Sequence, residues 1–221
     1  WNSFSERIST IYLPDRKRPM MPLALSNCVC SLCENEERVA FGIDITIKDN
    51  EIIGYCLDNS YIKLYKNHVY ESNELKDDKN FKLMFKVVTE LSKDYKYLKK
   101  INDSHDMVAY LMILMNYYTS RDMVRYNNGI YRSVSFNKDY KIDNTLPDNV
   151  NNFLKIWNSS CGQYDLYDER KCHEMLDLES YIHCTSPIRR LVDLLNMAKL
   201  QKNIKMVSYG ENFDNFYEKW T

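Results

Sequence analysis

The stretch Glu179–Leu195, ESYIHCTSPIRRLVDLL, decides how the rest of the chain is read. Ser186-Pro187 predicts a helix start, because a serine hydroxyl caps free N–H groups and proline has its φ already set for the first turn. Arg189 and Arg190 follow at once. A first turn carries the positive end of the backbone dipole, where arginines are mildly disfavoured. They are reasonable there if the helix ends at an anion, since free N–H groups and a planar guanidinium fork both suit a phosphate. The alternative is pairing along the helix. Asp193 stands four residues after Arg189 and three after Arg190, which offers a surface ion pair worth about 0.2–0.5 kcal/mol. One aspartate cannot fully pair both arginines. The helix is expected to continue to about Lys202.

With 221 residues, 44% apolar and 28% charged, the chain has the composition of a soluble globular protein with a sizeable core. No apolar run approaches the length of a bilayer span, so no membrane partner is expected. The net charge of −1 argues against a non-specific basic binder, but it leaves room for a local groove lined with arginine and lysine. Seven scattered cysteines, an odd count, suit reduced thiols in the cytoplasm better than a disulfide framework. The chain opens at Trp1 rather than methionine and reads as a fragment.

Pro14, Pro19 and Pro22 rule out a continuous helix near the start, so residues 1–37 read as a helix end followed by loops. Val39, Phe41, Ile43, Ile45 and Ile47 alternate with polar residues, and Asp49-Asn50 supplies a turn before a second such run. Together they predict a β-hairpin or meander. Residues 73–100 have helical spacing with a charged outer face. Ser104–Tyr126 is apolar almost all round and predicts a buried central helix capped by Asp103 or Ser104. GIYRSVSF (129–136) reads as a strand, and Pro147–Trp157 as a helix. No domain boundary stands out. The fold class expected is α/β: a hairpin-containing antiparallel sheet in the first third, packed on a helical second half with a buried central helix.

Two further patterns have ordinary readings. Cys28-x-Cys30-x-x-Cys33 could join Cys172-His173 and His183 around zinc, but a structural site needs four ligands, usually in two separated pairs. The thiols read as buried or neutral. The methionines between Met107 and Met123 could make an adaptable binding surface, yet methionine is a common core filler, and core packing is expected.

TSPIRR, with Tyr181 and His183 before it and Asp193-Leu194 after it, resembles the signature of the ribonuclease II family catalytic (RNB) domain, roughly Y-x-H-F-T-S-P-I-R-R-Y-x-D-L. STIYLPDRKRPMMPLALSNCVCSLCENEERVAF (9–41) is similar to that family's Y-L-P-D…P-M-L-P…C-S-L block. KNHVYESNEL (66–75) and MVAYLMILMN (107–116) fit two further blocks in the same order. Residues 1–221 then read as the C-terminal majority of an RNB catalytic domain, without the β-barrel domains that usually flank it.

The resemblance implies a hydrolytic, processive 3′–5′ exoribonuclease that threads single-stranded RNA into a channel and releases nucleoside monophosphates. By position, Tyr12 matches an aromatic of the RNA channel, and Tyr70 matches the tyrosine that stacks on the 3′-terminal nucleotide. Base stacking of this kind is worth about 1–3 kcal/mol per base and tolerates any sequence. Arg189 matches the arginine that engages the phosphate near the cut, a catalytic role through charge stabilisation. Arg190 is a supporting RNA-binding candidate that can pair with Asp193, and Ser186 serves the site by capping the helix.

The family uses Mg²⁺ or Mn²⁺, but its aspartate cluster lies upstream of the Y-L-P block. The metal ligands are therefore expected outside this chain, and the fragment alone should be inactive. Ala109 and Tyr110 replace a pair of glutamates, the first of which the family assigns to the terminal sugar. R-R-L-V-D-L-L-N is similar to forms in divergent members, including those of large DNA viruses. The second reading is a catalytically silent relative that keeps the RNA channel. The sequence leaves the oligomeric state open, with a monomer as the default.

Overall fold

The computed structural model describes residues 2–4, 6–95, 98, 100–135, 145–157, 162–170 and 172–220. Asp49 and Asn50 adopt φ of 52° and 65°, the left-handed pair that a tight two-residue hairpin turn needs. They join β3 (Glu37–Lys48) to β4 (Glu51–Lys63) in an antiparallel pair. Val39 faces Tyr61, Phe41 faces Asn59, Ile43 faces Leu57 and Ile45 faces Tyr55, so the alternating residues share one face. The register shifts between Thr46 and Ile47. Along this hairpin only Leu57 is buried.

A shorter hairpin precedes it, β1 (Ile11–Tyr12) with β2 (Lys17–Arg18). A third pair, β5 (Ile130–Ser133) with β6 (Gln163–Leu166), lies later in the chain. Among the described residues the strands form three separate two-stranded antiparallel sheets. The strand expected at 129–136 is β5, and Phe136 lies outside the described residues. β6 had no sequence signal strong enough to name it.

The helix expected from residue 73 is two helices, α1 (Asn73–Asp77) and α2 (Lys79–Leu91). Asp78 between them takes an extended ψ of 130°, and its carboxylate accepts from Phe81 N–H at 2.8 Å, capping α2. The stronger N-cap ends the first helix. α3 (Ser104–Arg125) is the predicted central helix, and Asp103 caps it by accepting from Asp106 N–H at 2.9 Å. α4 (Asp148–Trp157) matches its expected span. α5 (Leu191–Asn203) ends where the sequence placed it, and α6 (Glu211–Trp220) closes the chain on buried Phe213, Phe216 and Tyr217. Single helical turns occupy Asn2–Phe4, Ala24–Val29 and Tyr167–Glu169.

The chain divides into two compact units, residues 1–115 with 185–194, and 116–184 with 195–221. Two of the crossings fall inside α3 and α5, so no linker composition marks them. The first unit buries Met20, Met21, Val88, Leu91, Met107, Tyr110 and Leu114. Met107 and Met123 are both core residues, as expected of filler methionines. The second unit buries Tyr131, Ile182, Leu195, Leu200 and Phe213 around two asparagines with no exposed surface. Asn116 donates to Tyr181 Oη at 3.0 Å and accepts from Cys184 N–H at 2.9 Å. Asn196 accepts from Ile130 N–H at 2.9 Å and donates to the carbonyls of Ile130 and His183 at 2.9 and 3.0 Å. These amides replace regular ladder bonds for the segment that leads into the TSPIRR motif.

Candidate nucleic-acid interface

Ser186 does not start a helix. The N–H groups of Arg189 and Arg190 both donate to Ser186 O at 3.1 Å, so the motif is a turn and α5 begins only at Leu191. The reason is edge pairing with the N-terminal segment. Thr10 N–H donates to Arg189 O and Leu191 N–H to Ile8 O, each at 2.9 Å, and Ser9 bridges Arg190. The Arg189 carbonyl is thereby committed outside the helix. Among the described residues the Ser186 hydroxyl makes no capping bond; instead Ser186 N–H donates to Asp193 Oδ1 at 2.8 Å.

Asp193 Oδ1 also accepts from Arg190 Nη2 at 2.9 Å, and Arg190 Nε lies 2.8 Å from Oδ2 as an ion-pair contact without hydrogen-bond geometry. The carboxylate has no exposed surface and the Arg190 side chain is 27% exposed, so this is a buried pair and not the surface pair expected. Burial pushes the Asp193 carboxyl above the usual carboxylate range, against the opposing pull of Arg190, the Ser186 amide and Arg189. Arg190 is thus a structural partner of Asp193. Arg189 is exposed and makes no ion pair among the described residues.

Arg189 lines a cavity of about 300 Å³ with Ser186, Thr10, Tyr12, Lys17 and Asn27, so residues about 170 positions apart meet in one concavity. Tyr12 and Lys17 are direct partners across the β1–β2 hairpin, which places both side chains on the same face. The turn between them closes with Leu13 N–H donating to Arg16 O at 2.8 Å. Sequence reading found Tyr12 and missed Lys17, whose place beside Tyr12 depends on the β1–β2 register. A ring 65% exposed, a lysine and an unpaired arginine in one cavity provide a stacking surface and two cations for a phosphate.

Tyr70 is not in this cavity. It sits in the turn before α1 and stacks on His105 with ring centroids 3.8 Å apart and planes inclined by 18°. Glu71, at φ 58°, accepts from Ser104 N–H at 2.7 Å and from the Ser104 hydroxyl, tying this turn to the start of α3. Those bonds, and Lys76 at 3.4 Å, hold the Glu71 carboxyl below the usual range. Ala109 lies one helical turn after His105, on the same face of α3. Tyr110 is fully buried and belongs to the core.

No group of three histidine, cysteine, aspartate or glutamate side chains among the described residues is arranged to hold a metal ion. The divalent cation implied by the resemblance therefore has no fitting ligand set here. The six described cysteines are free thiols, with Cys28, Cys30 and Cys172 exposed and not buried as one reading expected, and no described helix is long and apolar enough to cross a membrane.

The family model for the RNB domain matches residues 1–80 and 72–206. Ribonuclease R of Thermotoga maritima is 36% identical over 75 residues, which cover 33% of this chain and 11% of that protein. Ribonuclease R of Buchnera aphidicola is 25% identical over 263 aligned residues, 86% of this chain and 36% of that protein. The chain therefore spans about a third or less of these two relatives. Among solved structures, yeast Ssd1, a pseudonuclease, superposes with a TM-score of 0.75 at 13% identity, over 96% of this chain and 34% of that one. The apo form of Mycoplasma genitalium RNase R gives 0.71 at 18% identity, over 96% and 44%. The collinear motifs, the shared fold and a family match over most of its residues place this chain in the RNB domain family.

Proposed function

We propose that the chain is part of the catalytic domain of a cytoplasmic 3′–5′ exoribonuclease acting on single-stranded RNA. The observation that carries this reading is Arg189, an exposed guanidinium without an ion-pair partner among the described residues, in one cavity with Tyr12 and Lys17. In this reading Arg189 binds the phosphate next to the scissile bond and stabilises the charge that builds on its oxygens. Tyr12 stacks on a base, and Lys17 draws in the backbone as a second cation. Arg190 does not touch the strand; it fixes the turn through Asp193. Tyr70, backed by His105, stacks on the terminal nucleotide near Ala109. RNase R of Mycoplasma genitalium has been solved with ribose-methylated single-stranded RNA, which is consistent with this substrate class.

Hydrolysis in this family implies hard carboxylate ligands for Mg²⁺ or Mn²⁺. The reading expects them in a D-x-x-x-x-x-D-x-D-D segment just upstream of Trp1 in the complete protein. A second reading, an RNA-binding relative without turnover, is favoured by Ala109 standing where the family has a glutamate. Incubating the complete protein with a 5′-labelled single strand and Mg²⁺ or Mn²⁺ separates them. Shortening from the 3′ end supports the enzyme, whereas binding without shortening supports the silent relative.

A further inference from the structure

A second cavity, of about 280 Å³, lies within the unit that holds residues 116–184, and it shares no lining residue with the Arg189 cavity. Its wall carries Arg121, Arg125 and Arg170, with Glu179 as the one carboxylate. Arg121 and Arg125 are four residues apart on α3 and therefore stand on one face. Arg125 is partly neutralised by Asp122 at 2.8 Å. Among the described residues, Arg121, Arg170 and Glu179 make no ion pair.

Both unpaired arginines are nevertheless held in place. The Arg121 guanidinium lies 5.8 Å from the ring centroids of Tyr117 and of Tyr118. Arg170 lies 4.4 Å from the Tyr167 ring and donates to the Tyr167 carbonyl at 2.9 Å. An aromatic face or a backbone carbonyl orients a guanidinium without cancelling its charge. With Arg125 shared with Asp122, Arg121 and Arg170 leave the wall with net positive charge against Glu179, and their forked donors suit a tetrahedral oxyanion.

We infer that this cavity is a phosphate-binding site, with Arg121 and Arg170 as the donating forks and Arg125 adding charge. The phosphate can be that of a free nucleotide or of an RNA backbone, which present the same oxygens. Glu179 lowers the affinity of the site by facing the same ligand.

Titration calorimetry of the full chain with inorganic pyrophosphate tests the free-ligand arm, and salt-dependent binding of a single-stranded oligonucleotide tests the RNA arm. Replacing both forks (Arg121→Gln with Arg170→Gln) should weaken pyrophosphate binding about tenfold. If only RNA binds, the log–log salt slope should fall by about 0.7 for each phosphate contact removed. A folded double variant with pyrophosphate affinity and salt slope both unchanged overturns the proposal. Should the double variant not fold, Glu179→Gln decides. Binding about twofold or more tighter, a gain that misfolding cannot produce, supports the site, whereas unchanged or weaker binding overturns it.

Discussion

Asp193, with no exposed surface of its own, accepts one hydrogen bond from Arg190 Nη2 at 2.9 Å and forms an ion pair with the same guanidinium, and this pair separates the roles of two adjacent arginines. One is committed to the fold, and its neighbour is left free in the cavity. Removing the carboxylate leaves Arg190 without its partner and the Ser186 amide without its acceptor. Asp193→Ala should therefore destabilise the chain by about 3–5 kcal/mol in denaturant unfolding. A loss below about 1 kcal/mol would mean the pair is not structural.

Asn196 makes three bonds from a fully buried amide, two of them to the backbone of Ile130. Asn196→Ala strands an N–H and two carbonyls, so it should cost about 3 kcal/mol or more. Asn196→Asp keeps the shape but cannot donate, and it should be destabilised as well. Equal stability of the alanine variant and the parent would refute the clamp.

His173 is buried against the edge of the Tyr181 ring, and its Nδ1 has no hydrogen-bond partner among the described residues. Burial holds its imidazole below the usual histidine range of about 6.5, and Arg132 adds to this. The unfolded chain then binds the proton more readily, so the contribution of His173 is fully present above about pH 6.5 and is lost as pH falls below it. Asp193, whose carboxyl is raised by burial, acts with the opposite sign, its contribution falling as pH rises. Comparison with a variant cancels that term. The melting temperature of the parent should drop more between pH 7.5 and 5.5 than that of His173→Phe, and equal drops would remove His173 from this role.

Tyr70 and His105 form a stacked pair with one ring face of Tyr70 already covered. If that pair ends the RNA path, Tyr70→Ala in the complete protein should lengthen the final product seen on a denaturing gel. Tyr70→Phe, which keeps the stacking face, should leave it unchanged. An unaltered product from Tyr70→Ala would take the residue out of the RNA path.

The elements that local chemistry specifies were legible in the sequence. Asp49-Asn50 announces the long hairpin, and the all-round apolar pattern announces α3. What sequence reading misplaced depends on partners far along the chain. Ser186-Pro187 has every local mark of a helix start, yet pairing of residues 8–10 with 189–191 delays α5 to Leu191. The Arg190–Asp193 spacing reads as a surface pair because burial is a tertiary property. Lys17 carries no signal until the β1–β2 register sets it beside Tyr12. The division into two units is invisible because two of its crossings lie within continuous helices.

The claim that Arg189 stabilises charge at the reacting phosphate is tested most directly by Arg189→Ala in the complete protein, with single-strand affinity and degradation rate measured side by side. Turnover should fall by about 10²–10³-fold while affinity changes little, because Tyr12 and Lys17 still hold the strand. A variant that degrades RNA at the parent rate contradicts the claim, and so does one whose slower turnover is fully explained by weaker binding.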